Sequence, residues 1–187
     1  MTNELLAAKT AAINEDLAYH QARVVLLISS VMTKKGAGKK LDGLTKLAKL
    51  DFLVRYPILA QRVVPALSSD GRLRPSEDDA RESEAPMIRY KYGPWDDRYY
   101  PVIGALVGRG LATYQKGRAG SIALRLTAAG QRLAAELRAS DSWRDIAQRC
   151  DAVADQVGDW TGNRLKEAIY ERLPEVLDRP HREVIRR

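Results

Sequence analysis

Two histidines, one cysteine and two pairs of adjacent aspartates are the side chains whose types suit catalysis or metal binding in this 187-residue chain. Their spacing argues against both. His20 and His181 lie near opposite ends, Cys150 has no second cysteine, and no His-Glu-x-x-His, Gly-x-Ser-x-Gly or Cys-x-x-Cys pattern occurs. Asp78-Asp79 and Asp96-Asp97 suit a cation in principle, but neighbouring acids in a loop or at a helix start ordinarily serve solvation or capping. The run Gly36-Ala37-Gly38-Lys39-Lys40 sets glycine beside lysine as a phosphate cradle would. It lacks the G-x-x-x-x-G-K-[ST] spacing and follows a helix where that loop needs a strand. The sequence predicts a protein that is not an enzyme and that uses no cofactor and no metal.

Basic residues remain. The net charge is +7, a modest argument for a polyanionic partner and one that many proteins share without binding any. The excess is uneven. Residues 1–67 carry ten basic against five acidic side chains and residues 87–139 nine against three, whereas 68–86 is acidic and 140–187 nearly balanced. A polyanion should therefore face Lys34, Lys35, Lys39 and Lys40 in the first segment, and Arg98, Arg109, Lys116, Arg118 and Arg125 in the third. Such contacts hold phosphates and position a protein without reading sequence, so binding should be weakly selective and strongly salt-dependent.

The elements that must position these residues follow from periodicity and punctuation. Ile13, Leu17, His20, Val24, Leu27, Ile28 and Val31 repeat at helical spacing and form one buried stripe, His20 packed within it. A second helix is predicted from Leu41 to Arg55, with Lys39, Asp42, Lys46 and Lys49 on a narrow polar strip. Pro57 breaks it at Tyr56, and a short helix follows from Ile58 to Leu67. Ser68 to Pro86 has Leu73 as its only large apolar residue and is predicted to be a mobile acidic loop. Met87 to Tyr92 alternates as a strand does, and Gly93-Pro94 turns the chain. A helix capped by Asp96 or Asp97 reaches Arg109, its buried stripe formed by Tyr99, Val102, Ile103, Leu106 and Val107, with Gly110 as its left-handed stop. Strands from Leu111 to Gln115 and from Ser121 to Leu126 flank a basic tip, and Thr127 caps a helix from Ala128 to Arg138.

The C-terminal region, 140–187, reads as a helical module with a basic, frayed tail after Arg179. Trp143, Ile146, Cys150, Val153 and Val157, with Trp160 beyond them, form an apolar face that either folds back on the rest of the chain or docks on another subunit. Cys150 within it is a small hydrophobe and not a nucleophile. The lone cysteine excludes a disulfide-stapled secreted domain. The most apolar stretch, Val24 to Met32, is too short to span a bilayer, and Met1 to Glu4 lacks the basic start of a signal peptide. The expected location is cytoplasmic, with no membrane partner.

Helix, glycine stop, strand, basic tip, returning strand and threonine-capped helix resemble the winged-helix family. The residues that carry the resemblance are Leu106-Val107-Gly108-Arg109-Gly110-Leu111 and Leu124-Arg125-Leu126-Thr127-Ala128-Ala129-Gly130. It implies a mainly α fold with a small β-wing: a winged helix-turn-helix domain over 1–139 and a C-terminal helical appendage. The helix before a wing usually reads bases, but here it offers Arg98, Gly104, Ala105, Gly108 and Arg109, few of them base-edge donors, and Gly104 and Gly108 suit close packing against another helix. Three further passages are similar to the small middle components of bacterial ABC three-component systems. They are Leu44 to Pro57 (LTKLAKLDFLVRYP), Tyr90 to Asp96 (YKYGPWD) and Gly162 to Tyr170 (GNRLKEAIY). That resemblance implies a non-enzymatic accessory subunit on an SMC-like or Rad50-like ATPase, in anti-phage defence or DNA maintenance; the basic residues add double-stranded DNA as an expected second partner. The alternative is a homodimeric winged-helix transcriptional regulator whose C-terminal helix supplies the dimer interface.

Overall fold

The computed structural model describes Ala8 and residues 17–35, 39–75 and 86–185. Gly36 to Gly38, Ile13, Asp78-Asp79, most of the predicted acidic loop and the last two arginines lie outside these. The described chain is mainly helical with a three-stranded antiparallel sheet and a separate two-stranded one. Among the described residues no helix is long and apolar enough to cross a membrane.

Helix α1 (Leu17–Thr33) is the hub. Val24, Val25, Leu26, Leu27, Ile28 and Val31 are all fully buried, more than the single predicted stripe, because a helix this apolar must be covered on several sides. The cover comes from α5 (Ala128–Ala139) and α6 (Arg144–Val157), which both pack along it. The C-terminal region thus belongs to the same hydrophobic cluster as the rest of the chain.

The predicted second helix begins later than its sequence pattern suggests. Leu41–Asp42 is a short strand, β1, whose Leu41 lies opposite Leu124. Gly43, at φ 89°, then redirects the chain into α2 (Leu44–Arg55), a backbone turn that favours glycine. Tyr56 breaks the helix as expected, and Pro57 opens α3 (Pro57–Val63) from the first position, where its missing N–H costs nothing. Pro65 starts a separate 3-10 turn to Ser69.

The stretch from 68 onward is tied down further than its composition predicts. Leu67 and Leu73 are fully buried, Gln61 donates to the Leu73 carbonyl at 3.1 Å, and Arg72 clamps Asp70 and reaches Asp155. One apolar anchor with an ion-paired turn suffices for 70–75. Strand β2 (Ile88–Tyr90) pairs with β3 (Gly93–Trp95), so Gly93-Pro94 lies in a strand and Lys91-Tyr92 make the turn. The end of the chain also differs from the predicted frayed tail. Arg89 and Ile185 amides donate to Glu183 and Met87 carbonyls at 2.7 Å, so 182–185 line up against β2 with Ile185 buried.

Helix α4 (Tyr99–Gly108) has no carboxylate cap. Asp96 instead makes a tight turn, accepting the Arg98 amide at 3.0 Å. The other end matches expectation: Gly110 has φ 67°, and the Gly110 and Leu111 amides donate to the Val107 and Leu106 carbonyls, both at 2.9 Å. Strands β4 (Ala112–Lys116) and β5 (Ile122–Leu126) follow, in sheet order β1-β5-β4. Thr127 joins the two helices: its hydroxyl accepts the Gly130 amide at 3.1 Å and donates to the Gly110 carbonyl at 2.6 Å. Gly130 has no substitute, since a Cβ there would run into the Leu111 carbonyl. Helix α7 (Gly162–Arg172), capped by Thr161, packs on α2 and α3, and Pro174 opens a final short helix, α8 (Pro174–Leu177).

Candidate nucleic-acid interface

The β4–β5 hairpin carries three exposed basic residues, Lys116, Arg118 and Arg125. Its tip closes because Gly117 donates to the Ser121 carbonyl at 2.7 Å and because Ala119 and Gly120 are both left-handed, at φ 48° and 78°. A Cβ on Gly117 would fall within 2.8 Å of the Ser121 carbonyl oxygen. Register places Ala112, Tyr114 and Lys116 opposite Leu126, Leu124 and Ile122, and directly opposed residues share one face. At the base that face is buried; toward the tip it emerges, leaving Tyr114 49% and Ile122 55% exposed.

Of the predicted basic set, the structure brings four residues together. Lys40 donates to the Lys116 carbonyl at 2.7 Å, fastening the segment before β1 to the hairpin. Lys39 is its exposed neighbour. Lys40 and Arg118 approach Asp42 at 3.9 and 3.7 Å, so one carboxylate faces two cations. Arg125, opposite Thr113, projects from the other hairpin face and is exposed. Lys34 and Lys35 are elsewhere, at the end of α1, where Lys34 donates to the Asp155 carbonyl.

Arg98 leaves the predicted set. Its guanidinium grips Asp96 at 2.6 and 2.9 Å and touches His20 Nε2 at 2.7 Å. Arg109 is exposed but tethered to Gln21 at 2.9 Å. The outward side of α4 therefore offers Tyr100, Pro101, Gly104, Ala105 and Gly108, none charged.

The predicted docking face is also largely absent from the surface. Cys150, Val153 and Val157 are fully buried within this chain, because α1 and α2 need that face as cover. Burial pushes the Cys150 thiol well up, which makes it a poor nucleophile. Trp143 and Ile146 are half-buried, with Trp143 against Tyr19 at 5.2 Å, and Trp160 lies under the Arg164 guanidinium at 3.9 Å.

Sequence reasoning missed a buried ionic cluster behind α4. Asp51 accepts from Arg23 at 2.8 and 3.2 Å and from the Tyr99 hydroxyl at 2.7 Å; Arg55 lies 3.8 Å from Asp51 and bonds Asp96 at 2.9 Å. Burial alone would raise the Asp51 carboxyl, but the charges of Arg23 and Arg55 and the bonds from Arg23 and Tyr99 outweigh it and hold it below 3.8. Asp96 is held down similarly, its burial outweighed by Arg98 and Arg55. The signal was a lone carboxylate inside the apolar run Leu47 to Val54.

The polar strip of α2 is covered too. Lys46 is buried and donates to the Gly158 carbonyl at 2.7 Å. Lys49 donates to the Thr45 carbonyl at 3.0 Å, and burial, with Lys166 nearby, lowers its ammonium to about 8. An open cavity of about 290 Å³ lies between the starts of α2 and α7, lined by Asp42, Lys46, Arg118 and Asp159 among others. Its two carboxylates and two cations balance.

Comparison with protein-family models, with curated proteins and with solved structures finds no match for this chain.

Proposed function

We propose that this chain is a non-enzymatic winged-helix accessory subunit that docks on an SMC-like or Rad50-like ATPase and adds weakly sequence-specific DNA contacts through its wing, in anti-phage defence or DNA maintenance. The order α1-β1-α2-α4-β4-β5, with strands in the order β1-β5-β4, supports the winged-helix reading; residues 56–98 are then an insertion between its second and third helices. A fold of this kind serves equally as a DNA reader and as a protein-docking module, so the surface must decide.

The observation that carries the docking reading is the outward side of α4. Gly104 and Gly108 are one helical turn apart, have ordinary helical φ, and, among the described residues, have nothing within 4 Å of where a Cβ would stand. Gly104, inside the helix, costs it about 1 kcal/mol relative to alanine, and no described neighbour requires either glycine to be small. An uncharged strip whose one side-chain donor is the Tyr100 hydroxyl suits a close-packed protein helix better than a major groove.

The test is size-exclusion chromatography of the chain with an SMC-like or Rad50-like ATPase from the same genome, alone and as the G104L/G108L variant. Leucine favours the helix, so the variant folds, and the complex is expected to be lost. A dimer that binds a palindromic duplex selectively at nanomolar concentration would instead establish a transcriptional regulator.

A further inference from the structure

One exposed face of the β4–β5 hairpin combines two large uncharged side chains with Lys116, next to a tip that carries further cations, and solubility does not explain the pairing. Tyr114 and Ile122 are diagonal neighbours on one face, since Tyr114 lies opposite Leu124 and Ile122 opposite Lys116. Both stand outside the core, about half exposed. Lys116 is two residues beyond Tyr114 on the same face, roughly 7 Å along the strand. Arg118 and Lys40 lie round the tip, toward Asp42 opposite Ala123 on the reverse face, where a strand leaving the Tyr114 face past Lys116 would meet them.

A duplex gives such a surface only half of a partner. Its phosphates match the cations, but its bases are stacked inward and give the tyrosine ring nothing to cover. A protein partner matches the ring and the isoleucine but leaves several cations without counter-charge. A nucleic-acid strand with unpaired bases meets both: phosphates on Lys40, Lys116 and Arg118, and a base face on Tyr114 flanked by Ile122. The tip is held by its left-handed pair and the Gly117–Ser121 bond, so the ring and the cations are presented in a fixed relation.

We infer that the β4–β5 hairpin binds single-stranded or locally unpaired nucleic acid, with Tyr114 as the stacking platform and Lys40, Lys116 and Arg118 as the phosphate contacts. This rests on the reading above only in taking the hairpin as the polyanion-facing element; docking through α4 is independent of it.

Fluorescence-anisotropy titrations of the full chain with labelled oligothymidine and with a mixed-sequence duplex of equal length, each at two salt concentrations, test it. The expected result is tighter binding of the single strand, a loss of roughly tenfold or more for that strand in Tyr114→Ala with little change for the duplex, and retention in Tyr114→Phe. Lys116→Ala/Arg118→Ala should weaken both ligands and flatten the salt dependence. Duplex binding as tight as single-strand binding, or an unchanged Tyr114→Ala, would overturn the stacking role while leaving a basic DNA-contacting hairpin intact. Absence of salt-dependent binding to either ligand would overturn both, without touching the docking reading.

Discussion

Arg23, Arg55 and Arg98 on one side, and Lys40, Lys116 and Arg118 on the other, are similar chemistry put to opposite uses. The first three lie behind α4, at or near full burial for Arg23 and Arg55, each within reach of Asp51 or Asp96. Of the second three, Lys40 and Arg118 share a single, partly exposed carboxylate, Asp42, Lys116 is exposed on the hairpin, and the Arg118 side chain is 74% exposed. A buried ion that loses its partner is left uncompensated in a low-dielectric core, whereas an exposed one is rehydrated. Charge behind α4 is thus paired within the chain, and charge on the hairpin stays open to solvent.

Removing the centre of the buried cluster should give the largest effect. Asp51→Ala leaves Arg23 and Arg55 facing each other's charge and should cost about 3–5 kcal/mol in urea unfolding. A loss below about 1 kcal/mol would erase the distinction between the two regions. The cluster also sets an acid limit. Because the folded-state Asp51 and Asp96 carboxyls are depressed, their contribution is complete above 3.8 and is lost as pH falls through the folded values. Unfolding measured on descent below pH 4 should show wild type losing stability faster than the already weakened variant.

Lys49 sharpens the comparison, as a buried cation with no carboxylate bonded to it among the described residues. Its folded value of about 8 lies below the ordinary 10.5, so between these pH values the unfolded chain binds more protons and stability rises with pH. Lys49→Met should gain on the order of 2 kcal/mol at neutral pH and lose that rise. A destabilised variant would show that the bond to Thr45 matters more than the buried charge.

Thr127 tests the joint between the regions, since it ties the end of α4 to the start of α5. Thr127→Ala should cost about 1 kcal/mol by thermal unfolding, as a lost N-cap does; no change would remove it from the joint. The smallest effect belongs to the hairpin: Lys116→Ala/Arg118→Ala should alter stability by less than about 0.5 kcal/mol. A larger loss would make these residues structural.

The sequence conveyed local structure better than it conveyed what covers what. Gly110, Thr127 and Pro57 act at single positions through φ, capping or a missing donor, and each was legible. Strand β1 was not, because two residues give no periodicity and Leu41 continues the leucine pattern of α2. The apolar face of α6 was legible as a face, but its burial on α1 depends on the fold of residues far away in the chain. Arg98 and Arg118 look alike in sequence. Only the nearby Asp96, which the capping pattern assigned to the helix start, separates them, by turning back to grip the guanidinium.

The most direct test of this division is hydrogen exchange of the full chain with and without oligothymidine at low salt. Protection is predicted over residues 39–42 and 112–126, with 99–108 unchanged. Protection of 99–108 with none on the hairpin would contradict it.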